Sequence, residues 1–421
     1  MNYSQMTRAE LEIELEKERK IYEGFLEKKL SLNMARGKPG ADQLELSVNM
    51  QVDVSSPIAD DGTDCRNYGL LDGIPEAKRL FGTILEAPAE NVIVCGNSSL
   101  NLMFDTIARA MLFGSYKGAT PWVKQGKIKF LCPVPGYDRH FAITETFGIE
   151  MINVPMTPTG PDMDIVEKYV ENDPAVKGIW CVPKYSNPDG YTYSDETVRR
   201  FANLKPAADD FRIFWDNAYV VHDLYDEGDT LLSIYDEAKK AGNENIFIMF
   251  ASTSKITFPG SGISAIVSGK ENIEYIKSIL TVQTIGFDKM NMLRHVEFLK
   301  DFDSLKAHMK RHAAILRPKF EVVLDAFESE LSSLPDTHWT KPRGGYFISL
   351  YLHKGCASRT FELCKNAGVT LTNAGSTFPY GKDPDDSVLR IAPTFPPVDE
   401  LKIAVSVLVC AAKIATLEKL I

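Results

Sequence analysis

One pattern recurs between residues 92 and 267: a short apolar run, a polar turn, then a stretch with helical spacing. The apolar runs are 92–95, 129–132, 178–182, 212–215, 246–250 and 263–267. Short runs with few polar positions read as strands buried on both faces. Their alternation with helices requires an α/β arrangement, a mostly parallel sheet covered by helices on each side. In such sheets, ligands bind beyond the carboxyl ends of the strands. Five of the runs are followed by unusual polar segments: Gly96-Asn97-Ser98-Ser99, Pro135-Gly136-Tyr137, Tyr185-Ser186-Asn187-Pro188, Asp216-Asn217-Ala218-Tyr219 and Ser252-Thr253-Ser254-Lys255. The pattern therefore predicts that all five meet at one site.

Outside this block the sequence changes character. Residues 1–30 have the spacing of an amphipathic helix rich in Glu, Lys and Arg, 344–350 and 388–392 read as strands, and a long final helix is expected from about Val398. A chain of 421 residues is long enough to bury more than one core. The expected division is an N-terminal helix and joining segment over 1–50, a large domain over 51–305 and a smaller α+β domain over 306–421. The Pro- and Gly-rich stretch 31–75 reads as an ordered loop crossing the domain boundary.

Charge and special residues exclude several function classes. A net charge of -10 is unsuited to general nucleic-acid binding, which needs a basic face to displace counterions from phosphates. The seven cysteines are odd in number and form no CxxC pair, so buried free thiols in a reducing compartment are expected. His308 and His312 lie four apart on a Lys- and Arg-rich segment without acidic or cysteine company; the expectation is a solvated helix face and no metal. The N-terminal segment lacks the apolar core of a signal peptide, and no apolar run approaches the ~20 residues of a membrane span. A cytoplasmic protein is expected, with neither membrane nor nucleic acid as partner.

The strand-end segments carry the groups that hold and work an aldehyde bearing a phosphate, pyridoxal 5′-phosphate (PLP). Lys255 supplies an amine to condense with the aldehyde. Asp216 offers a carboxylate to the ring nitrogen; holding that nitrogen protonated makes the ring an electron sink. Asn187 and Tyr219 suit the ring hydroxyl. Ser98, Ser99, Ser252 and Ser254 are phosphate candidates, the first two opening the helical run 100–110, whose first N–H groups are unpaired and partly positive. For any single serine, a plain N-cap is the competing reading. Tyr137 offers a ring face to the pyridine, though such a residue alone is more often a packing aromatic. Arg390, on an apolar strand-like run, needs an anion, and a bidentate carboxylate matches best; a structural salt bridge is the alternative. Gly260-Ser261-Gly262-Ile263-Ser264-Ala265 fits a loose dinucleotide fingerprint but leads into a strand instead of a helix, which argues against a nicotinamide cofactor.

From Ala35-Arg36-Gly37-Lys38-Pro39 through Asn67-Tyr68-Gly69-Leu70-Leu71-Asp72-Gly73-Ile74-Pro75 to Arg390, the sequence resembles the aspartate aminotransferase-like family, PLP enzymes of fold type I. It is most similar to an atypical subgroup sharing the segments Ser254-Lys255-Ile256-Thr257-Phe258-Pro259-Gly260 and Asp288-Lys289-Met290-Asn291-Met292-Leu293-Arg294-His295. The resemblance implies a large domain with a seven-stranded type of sheet and a small domain built from both termini. It implies that Lys255 holds PLP, Asp216 pairs with its ring nitrogen, Tyr219 and Asn187 meet its hydroxyl, Tyr137 stacks on it, and Ser98, Ser99 and Ser252 bind its phosphate. Arg390 would take the substrate α-carboxylate beside the Gly37 backbone, and Tyr68 would reach the phosphate of a neighbouring subunit, so a homodimer with shared sites is expected. Relatives carry an arginine in a Pro-Gly-x-Arg-x-Gly-like stretch, whereas this chain reads Pro259-Gly260-Ser261-Gly262-Ile263. Serines and backbone N–H groups, or a cation such as Lys289, would then serve the phosphate.

The implied activity is ping-pong transamination between an amino acid, aspartate or another dicarboxylic one, and a 2-oxo acid such as 2-oxoglutarate. Arg36 or the partner subunit's Lys289 is the expected partner of a side-chain carboxylate. The alternatives are a β-lyase or decarboxylase using the same cofactor, and a non-catalytic regulator. The regulator expects a DNA-binding domain ahead of the fold, where this sequence has one short acidic helix before residue 31.

Overall fold

The computed structural model describes residues 3–51 and 54–421. The repeating block forms one eight-stranded sheet in the order Val92–Cys95, Ser264–Ser268, Phe247–Ser252, Arg212–Asp216, Val176–Cys181, Lys129–Val134, Glu150–Thr157, Gly160–Pro161. The strands from Phe247–Ser252 to Glu150–Thr157 are parallel. Ser264–Ser268 runs antiparallel to both its neighbours, and the two-residue Gly160–Pro161 is antiparallel at the far edge. Because Ser264–Ser268 is the reversed strand, Val92–Cys95 points the same way as the parallel set. All five predicted polar segments therefore leave the sheet at one edge. The α/β expectation holds, with all six strands expected between residues 92 and 267 within two residues of their predicted bounds. Glu150–Thr157 was not foreseen, since only two of its residues, Met151 and Val154, are buried and it has no continuous apolar run.

Residues alternate between the two faces of the sheet, as the pleat dictates. Phe130, Trp180, Phe214 and Phe250 pack on one face; Leu131, Ile179, Ile213 and Met249 pack on the other. The aromatic face is tightly filled, with ring centroids 5.3 Å apart for Phe130–Phe214 and 4.8 Å for Trp180–Phe214. Gly178 pairs with Phe130 across the strands, and a Cβ built on it would lie 2.3 Å from the Phe130 ring. That position is a glycine because the tip of the ring occupies the space a Cβ would take.

Beyond the sheet, the helices Phe302–Leu331 and Val398–Leu420 enclose a second apolar cluster that includes Phe320, Phe327, Leu401 and Leu408. The N-terminal helix Arg8–Glu27 joins it through Leu11, Leu15 and Tyr22. This helix begins with a capping box, in which Thr7 accepts from Glu10 N and Glu10 accepts from Thr7 N. Leu32–Asn33 pairs in parallel with Val369–Thr370, tying the two ends of the chain together. A three-stranded sheet of His338–Trp339, Ile348–Tyr351 and Val388–Ile391 completes this part and carries Arg390. All seven cysteines are buried and free. Among the described residues, no helix is long and apolar enough to cross a membrane.

One expectation is overturned here. His308 and His312 are not on a solvated face; both are buried, and both contact the Ile256 carbonyl. The basic residues misled because the charges lie on the other side of the same helix, at Lys310 and Arg311. Helical spacing of four places both histidines on the inner face.

Gly178→Val is expected to lower the thermal midpoint, since forcing a side chain into the filled ring layer typically costs about 1–3 kcal/mol. An unchanged midpoint by differential scanning calorimetry would contradict the packing described for Phe130.

Candidate active site

Asp216 is the last residue of its strand and is 2% exposed. One carboxylate oxygen, Oδ2, lies 3.1 Å from His140 Nε2; the other, Oδ1, is buried without a hydrogen-bond partner among the described residues. His140 is fixed in turn, because its ring stacks on Trp180 at 4.4 Å and 11°. It lies three residues after Tyr137 in the helix Asp138–Thr146, so one helix start delivers Tyr137, Asp138 and His140 together. Burial pushes the Tyr137 phenol up to about 12, with Asp216 adding to the shift.

Facing this group is Arg390, almost wholly buried. Its Nη1 donates to Asp138 Oδ1 (2.7 Å) and Asn187 Oδ1 (3.2 Å), its Nη2 to Thr372 Oγ1 (3.4 Å), and its Nε has no partner. The guanidinium lies over the Phe347 ring at 4.9 Å. That ring in turn lies against Gly37, where a Cβ would sit 2.3 Å from it. Gly37, Phe347 and Arg390 are thus one stack, with the Nε of the guanidinium open to a further acceptor.

The serine segments form a separate corner. Ser98 caps the helix Ser99–Phe113 by accepting from Leu100 N (3.2 Å). Ser252 Oγ donates to Ser254 Oγ (3.0 Å). The two segments are stitched together, with Asn97 Nδ2 donating to Pro259 O (2.8 Å) and Ser264 Oγ to Gly96 O (2.6 Å). Hydroxyls beside a helix start are a chemistry that takes an anion.

Lys255 lies between these groups. Its ammonium is 4.9 Å from the centre of the Tyr219 ring and 6.0 Å from that of Tyr346. Burial lowers its pKa below the ordinary lysine value, with Asp216 opposing the shift. Tyr219 is raised well above the ordinary phenol value by burial, so it stays a hydroxyl donor. The sequence reading missed His140, Asp138, Phe347 and four further histidines around the turn of Lys255. His222, His308 and His312 contact the carbonyls of Lys255 or Ile256, and His295 contacts Thr253 and Thr257. Only long-range packing brings them there, although the i, i+3 spacing of His140 from Tyr137 was a usable signal.

Tyr68, Arg36 and Lys289 are the remaining expected residues. Tyr68 is 80% exposed. The Arg36 side chain is exposed and forms no ion pair among the described residues. Lys289 is buried, its ammonium donating to Gly69 O (3.0 Å), where it holds the loop that carries Tyr68.

The family described as aspartate amino-transferase matches residues 4–421. An aspartate aminotransferase of Corynebacterium glutamicum is 46% identical over 382 residues, 90% of this chain and 88% of that protein. The crystal structure of an aspartate transaminase from Corynebacterium glutamicum has a TM-score of 0.96 at 42% identity, over 100% of this chain and 99% of that one. An α-aminoadipate aminotransferase from Thermus thermophilus, solved with N-(5′-phosphopyridoxyl)-L-leucine, shares the fold at a TM-score of 0.74 and 19% identity, over 99% of this chain and 96% of that one.

The buried histidines give a pH prediction. Burial lowers His222 and His312 to about 3 and His295 to about 4, whereas an unfolded histidine titrates near ~6.5. The unfolded chain then binds protons that the folded one refuses, so their contribution to stability is complete above ~6.5 and is lost as pH falls towards the folded values. The thermal midpoint should fall between pH 7 and 4, and His312→Gln should make that fall shallower. An equal slope in the variant would contradict the buried neutral state.

Proposed function

Because the chain belongs to the aspartate aminotransferase family and is therefore an aminotransferase, we propose that it moves an amino group from a dicarboxylic amino acid, aspartate first, to a 2-oxo acid such as 2-oxoglutarate, with PLP as cofactor and in ping-pong order. The observation that carries this reading is the meeting of Lys255, Tyr219 and Asp216, with Asp216 Oδ1 buried and unpartnered. A protonated ring nitrogen is the donor that this oxygen lacks, and the capped helix start with its serines suits the phosphate, so the residues present fit the cofactor.

When bound, PLP supplies an electron sink that stabilises negative charge at the substrate α-carbon. Each residue of the chain then has a defined task. Asp216 holds the ring nitrogen proton through Oδ1 while His140 fixes Oδ2. Tyr219 donates its hydroxyl proton to the ring oxygen, and Asn187, whose Oδ1 is taken by Arg390, has its amide nitrogen left to donate. Tyr137 covers one face. Lys255, its pKa lowered by burial, gives up a proton more readily than a free lysine and so would serve as the base that takes the proton from the α-carbon and the acid that delivers one to the cofactor's aldehyde carbon. Arg390 takes the α-carboxylate through its free Nε edge, a charge-assisted bond to an already oriented guanidinium.

Two further roles belong to this proposal. The exposed Tyr68, Val282 (87%) and Ile285 (63%) mark a surface for a second copy of the chain, and Gly69 lies against Gly286 in the same region. Lys289 orients the Tyr68 loop towards that copy. Arg36, exposed at the rim beside Gly37, is the cation for a substrate side-chain carboxylate.

Mixed with aspartate and 2-oxoglutarate, the loaded protein should give oxaloacetate and glutamate with parallel double-reciprocal plots. Lys255→Ala should lower kcat by about 10²–10⁴-fold, the usual worth of a positioned acid–base group. Arg390→Gln should raise KM for both substrates by about 10–100-fold, as expected for a lost bond to a charged group. Full activity in Lys255→Ala would overturn the assignment.

A further inference from the structure

Four of the seven histidines in this chain surround one turn, residues 253–257. Ile256 N and Thr257 N both donate to Thr253 O at 2.9 Å, a single helical turn that stops before Pro259. The carbonyls of Lys255 and Ile256 thereby lack backbone donors, as the last carbonyls of any helix do. Ring nitrogens meet them instead. His222 Nε2 lies 3.3 Å from Lys255 O, and His308 Nε2 and His312 Nε2 lie 2.7 and 3.1 Å from Ile256 O. On the other flank, His295 Nε2 lies 3.0 Å from both Thr253 Oγ1 and Thr257 Oγ1.

Their partners fix where the protons sit. A carbonyl only accepts, so Nε2 of His222, His308 and His312 must each be a donor. Gln43 Oε1 accepts from Gly40 N (3.2 Å), which leaves its amide nitrogen to donate to His312 Nδ1 (3.0 Å) and Tyr346 Oη (2.9 Å). His312 Nδ1 is therefore an acceptor and carries no proton. An imidazolium there would set an N–H against the Gln43 amide and a positive charge 3.1 Å from His308. His295 works the other way round, with Nδ1 donating to Asn291 O (2.8 Å) so that Nε2 accepts from a threonine hydroxyl. The neighbours thus set the tautomers of His312 and His295, and burial lowers the pKa of all four rings.

The rings arrive from three separate places: the loop after Tyr219, the helix Lys289–Leu299 and the helix Phe302–Leu331. Apolar side chains would fill the same space without the cost of burying ring nitrogens. None of the four is hydrogen-bonded to the Lys255 amine; what they hold is the backbone and the hydroxyls of its turn. We infer that His222, His295, His308 and His312 are positioning residues for Lys255, fixing its turn so that the amine points at the Tyr219 and Asp216 side. The inference rests on Lys255 being the reactive amine.

The test compares His312→Leu, which keeps bulk but loses the donor, with His312→Gln, whose amide can donate to the same carbonyl. Readouts on the PLP-loaded protein are the thermal midpoint, the pH midpoint of its visible absorbance change, kcat and KM. His312→Leu should lower kcat by about 10–100-fold with KM within about twofold, the scale of a small misplacement of a catalytic group, and should move the absorbance midpoint. His312→Gln should recover most of both. His222→Leu, on a different loop, should act in the same direction and carries the test should His312→Leu not fold. A folded His312→Leu protein with unchanged kcat and absorbance midpoint would overturn the inference, as would a glutamine variant no better than the leucine one. Retained turnover in Lys255→Ala would instead remove the reading on which the inference stands.

Discussion

Burying the Asp216 carboxylate carries a desolvation penalty of several kcal/mol before any partner is counted. Within the chain, His140 answers it through Oδ2 alone, and Oδ1 stays without a donor. A buried acceptor left open is costly unless a ligand supplies the missing hydrogen bond. The surroundings are arranged around that open position. The sheet delivers Asp216 at a strand end, Trp180 stacks on His140 to hold it, and Lys255 and Tyr219 sit on the same edge. The Nε of Arg390 is open in the same sense, and the two unmet positions face one bound cofactor and one substrate carboxylate in the proposed function.

Such a site depends on rigidity more than on any single bond. Gly37, Phe347 and Arg390 form a stack in which a side chain at 37 would displace the ring and with it the guanidinium. The Gly96 and Pro259 loops are pinned to each other by Asn97 and Ser264. The histidine cluster does for the turn of Lys255 what His140 does for Asp216. In each case a buried ring lends one nitrogen to a group that must not turn.

Much of this was legible from local sequence. Apolar runs with abrupt polar ends give strand positions, since the pleat and burial act over only a few residues, and the five strand-end segments follow directly. Lys255 and Asp216 were readable because each stands next to its own strand. Glu150–Thr157 escaped because only two of its eight residues are buried, which leaves no continuous apolar run. The partners of the site escaped for a different reason. Asp138 reaches Arg390 across 252 positions and His312 reaches Ile256 across 56, so their meeting depends on how helices pack and leaves no local trace. His308 and His312 show how that misleads, because the charges between them describe the outer face of a helix whose inner face decides their role. Lys289 reads in sequence as a cation looking for an anion, while in the fold it is bound to a backbone carbonyl.

The central claim is that Lys255, set between Tyr219 and Asp216, moves the α-proton, so that the substrate loses its α-hydrogen and, by hydrolysis, its amino group, while no carbon–carbon bond breaks. It is tested most directly by a single half-reaction, with PLP-loaded protein and aspartate but no 2-oxo acid. A burst of oxaloacetate that stops at one equivalent per site is expected, and with Lys255→Ala the same burst slowed by about 10²–10⁴-fold. Continued release of pyruvate and ammonia, or of carbon dioxide, beyond one equivalent would contradict it.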